Sequence, residues 1–224
     1  MDLLSFLIGL MLLLPIQRQD NGLQYIENVI GKFSGIKDYT VDVRVHLDIQ
    51  EVKAPDMDAK VYYKEPDKVK IDSKGLFFLP KDVGVFNPRK FNPKDFDISV
   101  IDTLTYNGDP AVRVSLTSKK DEAKDHKIIL TIDKKDWLIK EIATVPSPGR
   151  QVSAKISYGV FDGFELPVKI EVNLDVAKVN PQMGGFDGER RRGGGVKGNV
   201  EVYYSNYKIN AGLSDEIFKK EGDR

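Results

Sequence analysis

The chain has 224 residues, with 34 Lys and Arg against 34 Asp and Glu, so no bulk charge draws it to nucleic acid or to an anionic membrane. A hydrophobic content of 41% beside 30% charged residues suits one folded domain around a single core. There is no cysteine, which excludes disulfides, a thiolate metal site and an N-terminal lipid-modified cysteine.

Residues 3–14 are almost uninterrupted Leu, Ile, Phe and Met. That is the length of a signal-peptide apolar core and short of the roughly 20 residues that span a bilayer. Residues 1–19 are therefore expected to be an export signal or, if uncut, an N-terminal anchor. Asp2 stands where a basic residue is usual, and residues 15–19 offer no small-x-small cleavage site. Residues 20–224 make the domain.

Leu23, Ile26, Ile30 and Phe33 recur at helical spacing, with Gln24, Glu27, Asn28 and Lys32 on the other side, which predicts an amphipathic helix of about three turns ending at Ser34-Gly35. Its apolar stripe needs a partner. Residues 40–50 follow as a long strand, with Val41, Val43, Val45, Leu47 and Ile49 on one face and Asp42, Arg44, His46 and Asp48 on the other. Further strands are expected at residues 58–64, stopped by Pro66, and at 67–73. Residues 75–79 read as a short strand, and then Val83, Val85, Phe86 and Phe91 mix with Pro80, Pro88 and Pro93 without a period. Such a segment is a loop packed over the end of a core or a lid.

Hairpins resume at residue 98. Strands 98–106 and 111–118 turn through Asn107-Gly108, strands 126–133 and 137–145 through a charged turn, and strands 151–158 and 166–176 through Asp162-Gly163. The most regular run is Leu166, Val168, Ile170, Val172, Leu174 and Val176, alternating with Pro167, Lys169, Glu171, Asn173 and Asp175. A last strand covers 199–207. The order reads as a meander, and the fold class as mainly β (α+β), with about ten antiparallel strands that must curl or close. The N-terminal helix shares the concave apolar face. If it fills that face, the result is a plain core; if only partly, a greasy pocket for an acyl chain remains.

Catalytic chemistry is sparse. His46 and His126 lie on separate strands without metal-ligand spacing, and no nucleophile elbow, His-Glu-x-x-His or Walker loop is present. No enzyme activity, cofactor or metal is expected. Residues 193–198 formally match G-x-G-x-x-G, but they follow Arg190, Arg191 and Arg192 and open a strand, whereas a dinucleotide loop opens a helix. The Gly-rich segment 181–198 is either a flexible connection or a contact arm whose arginines hold lipid phosphates or an acidic patch.

The ordered set of segments carries a resemblance. Helix, Ile36-Lys37-Asp38-Tyr39-Thr40, Tyr62-Tyr63-Lys64-Glu65-Pro66-Asp67-Lys68-Val69-Lys70, Leu130-Thr131-Ile132-Asp133, Phe161-Asp162-Gly163-Phe164-Glu165-Leu166-Pro167, Tyr207-Lys208-Ile209-Asn210 and Leu213-Ser214-Asp215-Glu216-Ile217-Phe218 together resemble the LolA-like periplasmic lipoprotein carriers, the outer-membrane lipoprotein-sorting proteins. The resemblance covers nearly the whole chain after the leader. It implies a strongly curved, incomplete antiparallel barrel with helix on its concave side, and a periplasmic protein whose cavity shelters the acyl chains of a lipid or lipoprotein. Inner- or outer-membrane sorting proteins would be its further partners. The sequence departs from such carriers at Glu65, where they have an arginine tied to opening and closing the cavity, so that role does not carry over.

Strand parity nominates the cavity wall: Val43, Val45 and Leu47, then Tyr63, Val69 and Ile71, then Val114, Leu116 and Leu130, and last Val168, Ile170 and Val172. Phe77, Phe78, Phe86 and Phe91 are placed over its mouth. The alternative is a non-catalytic envelope sensor or scaffold of the same fold, with a filled cavity and surface contacts to proteins. Free volume on the order of 300 Å³ between helix and sheet would suit a ligand, and close packing the scaffold.

Overall fold

The computed structural model describes residues 22–50, 54–73, 85–120, 127–145, 150–176 and 196–219. Helix α1 (Leu23–Lys32) is followed by strands β1 (Asp38–Ile49), β2 (Met57–Lys64) and β3 (Lys68–Ser73). A short 3-10 turn (Pro88–Phe91) precedes β4 (Phe96–Tyr106), β5 (Asp109–Ser118), β6 (Lys127–Asp133) and β7 (Ile139–Val145). Strands β8 (Arg150–Phe161), β9 (Phe164–Val176) and β10 (Val196–Ile209) complete the sheet, and a second 3-10 turn (Asp215–Phe218) follows. The leader at 1–19, the short strand expected at 75–79 and His126 lie outside the described residues.

All ten strands form one antiparallel sheet in the order β3-β2-β1-β10-β9-β8-β7-β6-β5-β4. The architecture is mainly β, a curved open sheet that makes an incomplete barrel, with α1 on its concave side. The expected meander holds within β1–β3 and within β4–β10 but not across them. Consecutive strands β3 and β4 stand at opposite edges, and the two halves are joined by β1 pairing with β10 from Tyr39↔Ile209 to Ile49↔Gly198. The turns follow the sequence: Asn107 and Gly108 have φ of 52° and 95°, and Asp162 and Gly163 have 49° and 81°. These are the left-handed conformations of two-residue hairpins.

The register sorts side chains into rows. Leu47, Val200, Val172, Ala154, Ile142, Leu130, Val114 and Val100 are successive cross-strand partners from β1 to β4, an unbroken apolar row. The row one residue away, His46, Glu201, Glu171, Lys155, Glu141, Thr131, Arg113 and Asp102, is polar throughout. Opposite charges meet along it, as at Arg113 Nε and Asp102 Oδ1, 2.8 Å apart. Lys169 reaches Glu201 and Glu171 at 2.8 and 2.9 Å, and these hydrogen bonds raise its pKa.

Gly198, the last glycine of the rejected dinucleotide pattern, has a packing reason for its identity. A Cβ there would lie 2.5 Å from the Asp48 carbonyl oxygen and 2.6 Å from Ile49 Cα. Gly198→Ala is therefore expected to force β1 and β10 apart and to cost about 2 kcal/mol, read from urea unfolding. An unchanged midpoint would contradict the tight seam.

The two sheet edges are managed differently. Beside β3, Lys64 Nζ donates to the Leu213 carbonyl at 2.7 Å and pairs with Asp215 at 2.6 Å, while Lys68 takes the other Asp215 oxygen at 3.1 Å. The C-terminal 3-10 turn is thereby tied to that edge. On β4 the register shifts between Val100 and Asp102, a bulge that interrupts a template for further strands.

Candidate functional site

The concave face is built from the apolar rows, α1 and the segment around Pro88. Helix α1 buries Tyr25, Ile26 and Val29, and Phe33 just beyond it. The buried stripe thus differs from the Leu23, Ile26, Ile30 and Phe33 expected from sequence, since Leu23 and Ile30 are half-buried. Tyr25 is drawn inward by the Trp137 ring, whose centroid lies 6.1 Å from its own.

Of the nominated wall, Val43, Val45, Tyr63, Val114, Leu116, Leu130, Ile170 and Val172 are buried in one cluster, and Leu47, Val69 and Ile71 pack half-buried against it. Val168 does not join them. Ser157 faces Lys169 and Tyr158 faces Pro167, so Val168 is the extra residue of a β-bulge and the strict alternation of β9 breaks there. A Cβ on Gly159 would lie 2.8 Å from Val168 Cγ1, which places Val168 over β8 and outside the core cluster. Phe91 is buried, and Phe86 packs edge-on to Phe33 and Tyr158, each at 5.9 Å, beside the C-terminal end of α1. Phe77, Phe78 and Arg190, Arg191 and Arg192 lie outside the described residues.

Arg89 holds this end together, a role the sequence did not single out. Asn87 accepts the Arg89 backbone N–H at 3.1 Å and Pro88 fixes the first φ of the turn, which aims the side chain inward. The guanidinium donates to the carbonyls of Phe33 (3.0 Å), Ser34 (3.3 Å) and Ile36 (3.1 Å) and to the Tyr63 hydroxyl (3.0 Å). It also lies 5.0 Å from the Phe33 ring centre and 3.4 Å from Glu65. The residue that departs from the carrier pattern, Glu65, is thus the anionic partner of an arginine supplied from another segment. Asn-Pro-Arg between two phenylalanines was the available signal.

A cleft opens beside this cluster. Val29, Phe33, Phe86 and Pro88 form one wall and Trp137, Leu138, Ile139 and Tyr158 the other. Lys32 Nζ and Glu165 Oε2 bridge its rim at 2.5 Å. The space is about 20 Å³, which holds one water and is far below the volume of a ligand pocket. Trp137 has φ of 57°, a strained backbone for a bulky side chain, held because its N–H donates to the Asp133 carbonyl at 3.0 Å, while the Asp133 N–H donates to the Leu138 carbonyl at 2.9 Å and Asp133 Oδ1 accepts from the Lys135 N–H at 2.8 Å.

Burial pushes the phenols of Tyr39, Tyr158 and Tyr207 well above the ordinary 10.0, so all three stay neutral donors. They bond the carbonyls of Phe86 (3.1 Å), Ile139 (2.7 Å) and Pro167 (2.9 Å). In the unfolded chain these groups ionise near their ordinary value, so their stabilisation is complete below about pH 10 and declines as pH rises beyond it. Urea unfolding across about pH 8 to 11 should show this loss, and a flat profile would contradict the buried hydroxyls.

Among the described residues no group of three or more His, Asp and Glu could hold a metal, and no helix is long and apolar enough to cross a membrane. His46 is exposed on the polar row, 2.8 Å from Asp56, which raises its pKa.

No protein-family model matches the sequence, and no curated protein sequence matches it either. Solved structures do match. A LolA superfamily protein of Nitrosomonas europaea superposes with a TM-score of 0.58 at 13% identity, over 89% of this chain and 98% of the other. A domain described as an outer membrane lipoprotein-sorting protein, from Vibrio parahaemolyticus, gives 0.57 at 11% identity, over 90% and 97%. A DUF1329 family protein of Desulfovibrio piger gives 0.59 at 14%, over 89% and 98%. The curved sheet with its helix is therefore the fold of the LolA superfamily structures, as the ordered sequence segments imply.

Proposed function

We propose that this chain is a periplasmic carrier that shelters the acyl chains of a lipid or lipoprotein against its concave wall, for sorting to the outer membrane. The observation that supports this reading is that the apolar wall outruns its cover. Along β1 the concave residues Tyr39, Val41, Val43 and Val45 are at most 2% exposed, but Leu47 and Ile49 are half-buried. The same change occurs at Leu174 on β9 and Ile128 on β6, in the row that runs Ile49, Gly198, Leu174, Val152, Thr144, Ile128. One ten-residue helix covers the deep part, and the row beyond it offers an acyl chain a mainly apolar surface, interrupted at Thr144.

In this reading an acyl chain lies first on the outer row, and entry deeper into the concavity requires α1 to move. Phe77 and Phe78 would lie over the mouth, and Arg190, Arg191 and Arg192 would contact lipid phosphate or a sorting partner. The second reading, an envelope scaffold acting through protein contacts, is favoured by the cleft of only about 20 Å³.

The deciding experiment is native mass spectrometry of the protein purified gently from its own envelope, with extraction of any surplus mass. A stoichiometric phospholipid or acylated peptide supports the carrier. A bare polypeptide mass, also after adding lipid, supports the scaffold. Leu47→Glu places a carboxylate at a half-buried position, so it should fold with a loss of about 1 kcal/mol yet abolish loading. Full loading of that variant would remove the outer row from the site.

A further inference from the structure

The cleft beside α1 has a rim of unusual composition for an apolar slot: one cation, Lys32, and one anion, Glu165, joined across the opening at 2.5 Å. We infer that this rim selects the head of the carried amphiphile, and that the head carries both a phosphate and an ammonium. The inference rests on the carrier reading above and adds to it a head-group contact at Glu165, near the start of β9, whereas the outer row crosses that strand at Leu174, near its end.

The argument is one of charge matching. A chain that enters between α1 and the β6–β7 turn passes the Lys32–Glu165 bridge, which links the last turn of α1 to β9, and a shift of α1 away from the sheet parts that bridge. An uncharged head leaves both groups unpaired. A singly anionic head satisfies Lys32 and strands Glu165. A zwitterionic head gives its phosphate to Lys32 and its ammonium to Glu165, so one ion pair is exchanged for two. The next cation on that side, Lys140, lies 3.7 Å from Asp133 and over the Tyr158 ring, so it adds no unmatched positive charge. The acyl chain would follow Trp137, Leu138 and Phe86 inward as α1 moves.

Trp137 is the only tryptophan of the chain and lies on the cleft wall, so its fluorescence reports this site alone. The test titrates the full protein with three brominated single-chain lipids: lysophosphatidylethanolamine, lysophosphatidylglycerol and a monoacylglycerol. Bromine quenches tryptophan on contact. The expected result is quenching by the zwitterion at about tenfold lower concentration than by the other two, the difference a charge-assisted contact makes. Glu165→Gln should bring the anionic lipid level with the zwitterion, Lys32→Met should weaken binding of both phosphate-bearing heads, and Lys32→Arg should keep the preference. Equal affinities for all heads, or a preference that survives both substitutions, would overturn the inference. Lipid bound by mass without quenching would also overturn it while leaving the carrier reading intact. Neither quenching nor bound mass would overturn both.

Discussion

Arg89→Ala is expected to cost about 3 kcal/mol and to loosen the C-terminal end of α1 from the sheet. The side chain is 19% exposed and serves three carbonyls, the Tyr63 hydroxyl and Glu65. Its removal takes the guanidinium donor from the carbonyl of Ile36 and leaves the carbonyl of Phe33 with the Ile36 N–H at 3.2 Å, both on buried residues. For a chain of this size the melting temperature should fall by roughly 10 °C. Arg89→Lys should recover only part of that loss, because one ammonium cannot reach acceptors arrayed around a planar fork. Hydrogen exchange localises the effect: amides of α1 and of residues 33–36 should lose protection before those of β8 and β9. Equal protection in mutant and parent would show that the helix is held by its apolar face alone.

The second large effect is expected at Leu130. It is fully buried at the centre of the apolar row, between Val114 and Ile142. Leu130→Ala removes three carbon atoms from a site whose neighbours on both strands are fixed by sheet pairing, so collapse is incomplete and the cost is about 3 kcal/mol. Denaturant unfolding measures it, and a cost under about 1 kcal/mol would mean the wall relaxes around the vacancy. On the carrier reading the folded fraction should bind acyl chains at least as well as the parent, since the change enlarges the apolar space.

Much of the fold was legible because a half-buried strand writes its two faces into alternating residues, and because Asn107-Gly108 and Asp162-Gly163 specify their turns through positive φ. What escaped depends on relations that local pattern does not encode. The pairing of β1 with β10 is one of them, since either strand could serve any neighbour of matching parity. The bulge at Val168 is another: the alternation continues through it in the sequence while the pairing register shifts. Arg89 was hidden because its partners lie more than fifty residues away in the chain, at Phe33, Ser34 and Ile36. The helix stripe was misjudged by part of a turn because Tyr25 and Val29 are as compatible with helical spacing as Leu23 and Ile30, and only the opposing surface chooses between the sets.

The seam between β1 and β10 also sets an order of events during synthesis. Strand β1 is made early, but its partner on one side is the last strand of the sheet. Until β10 emerges, β1–β3 and β4–β9 are two separate ribbons with unpaired main-chain groups along β1 and β9. Such long-range closure is slow and leaves apolar rows open to other chains. The polypeptide therefore keeps the β1 and β9 edges open until its final strand arrives, and a chain that stops before β10 loses the link between its halves rather than an edge.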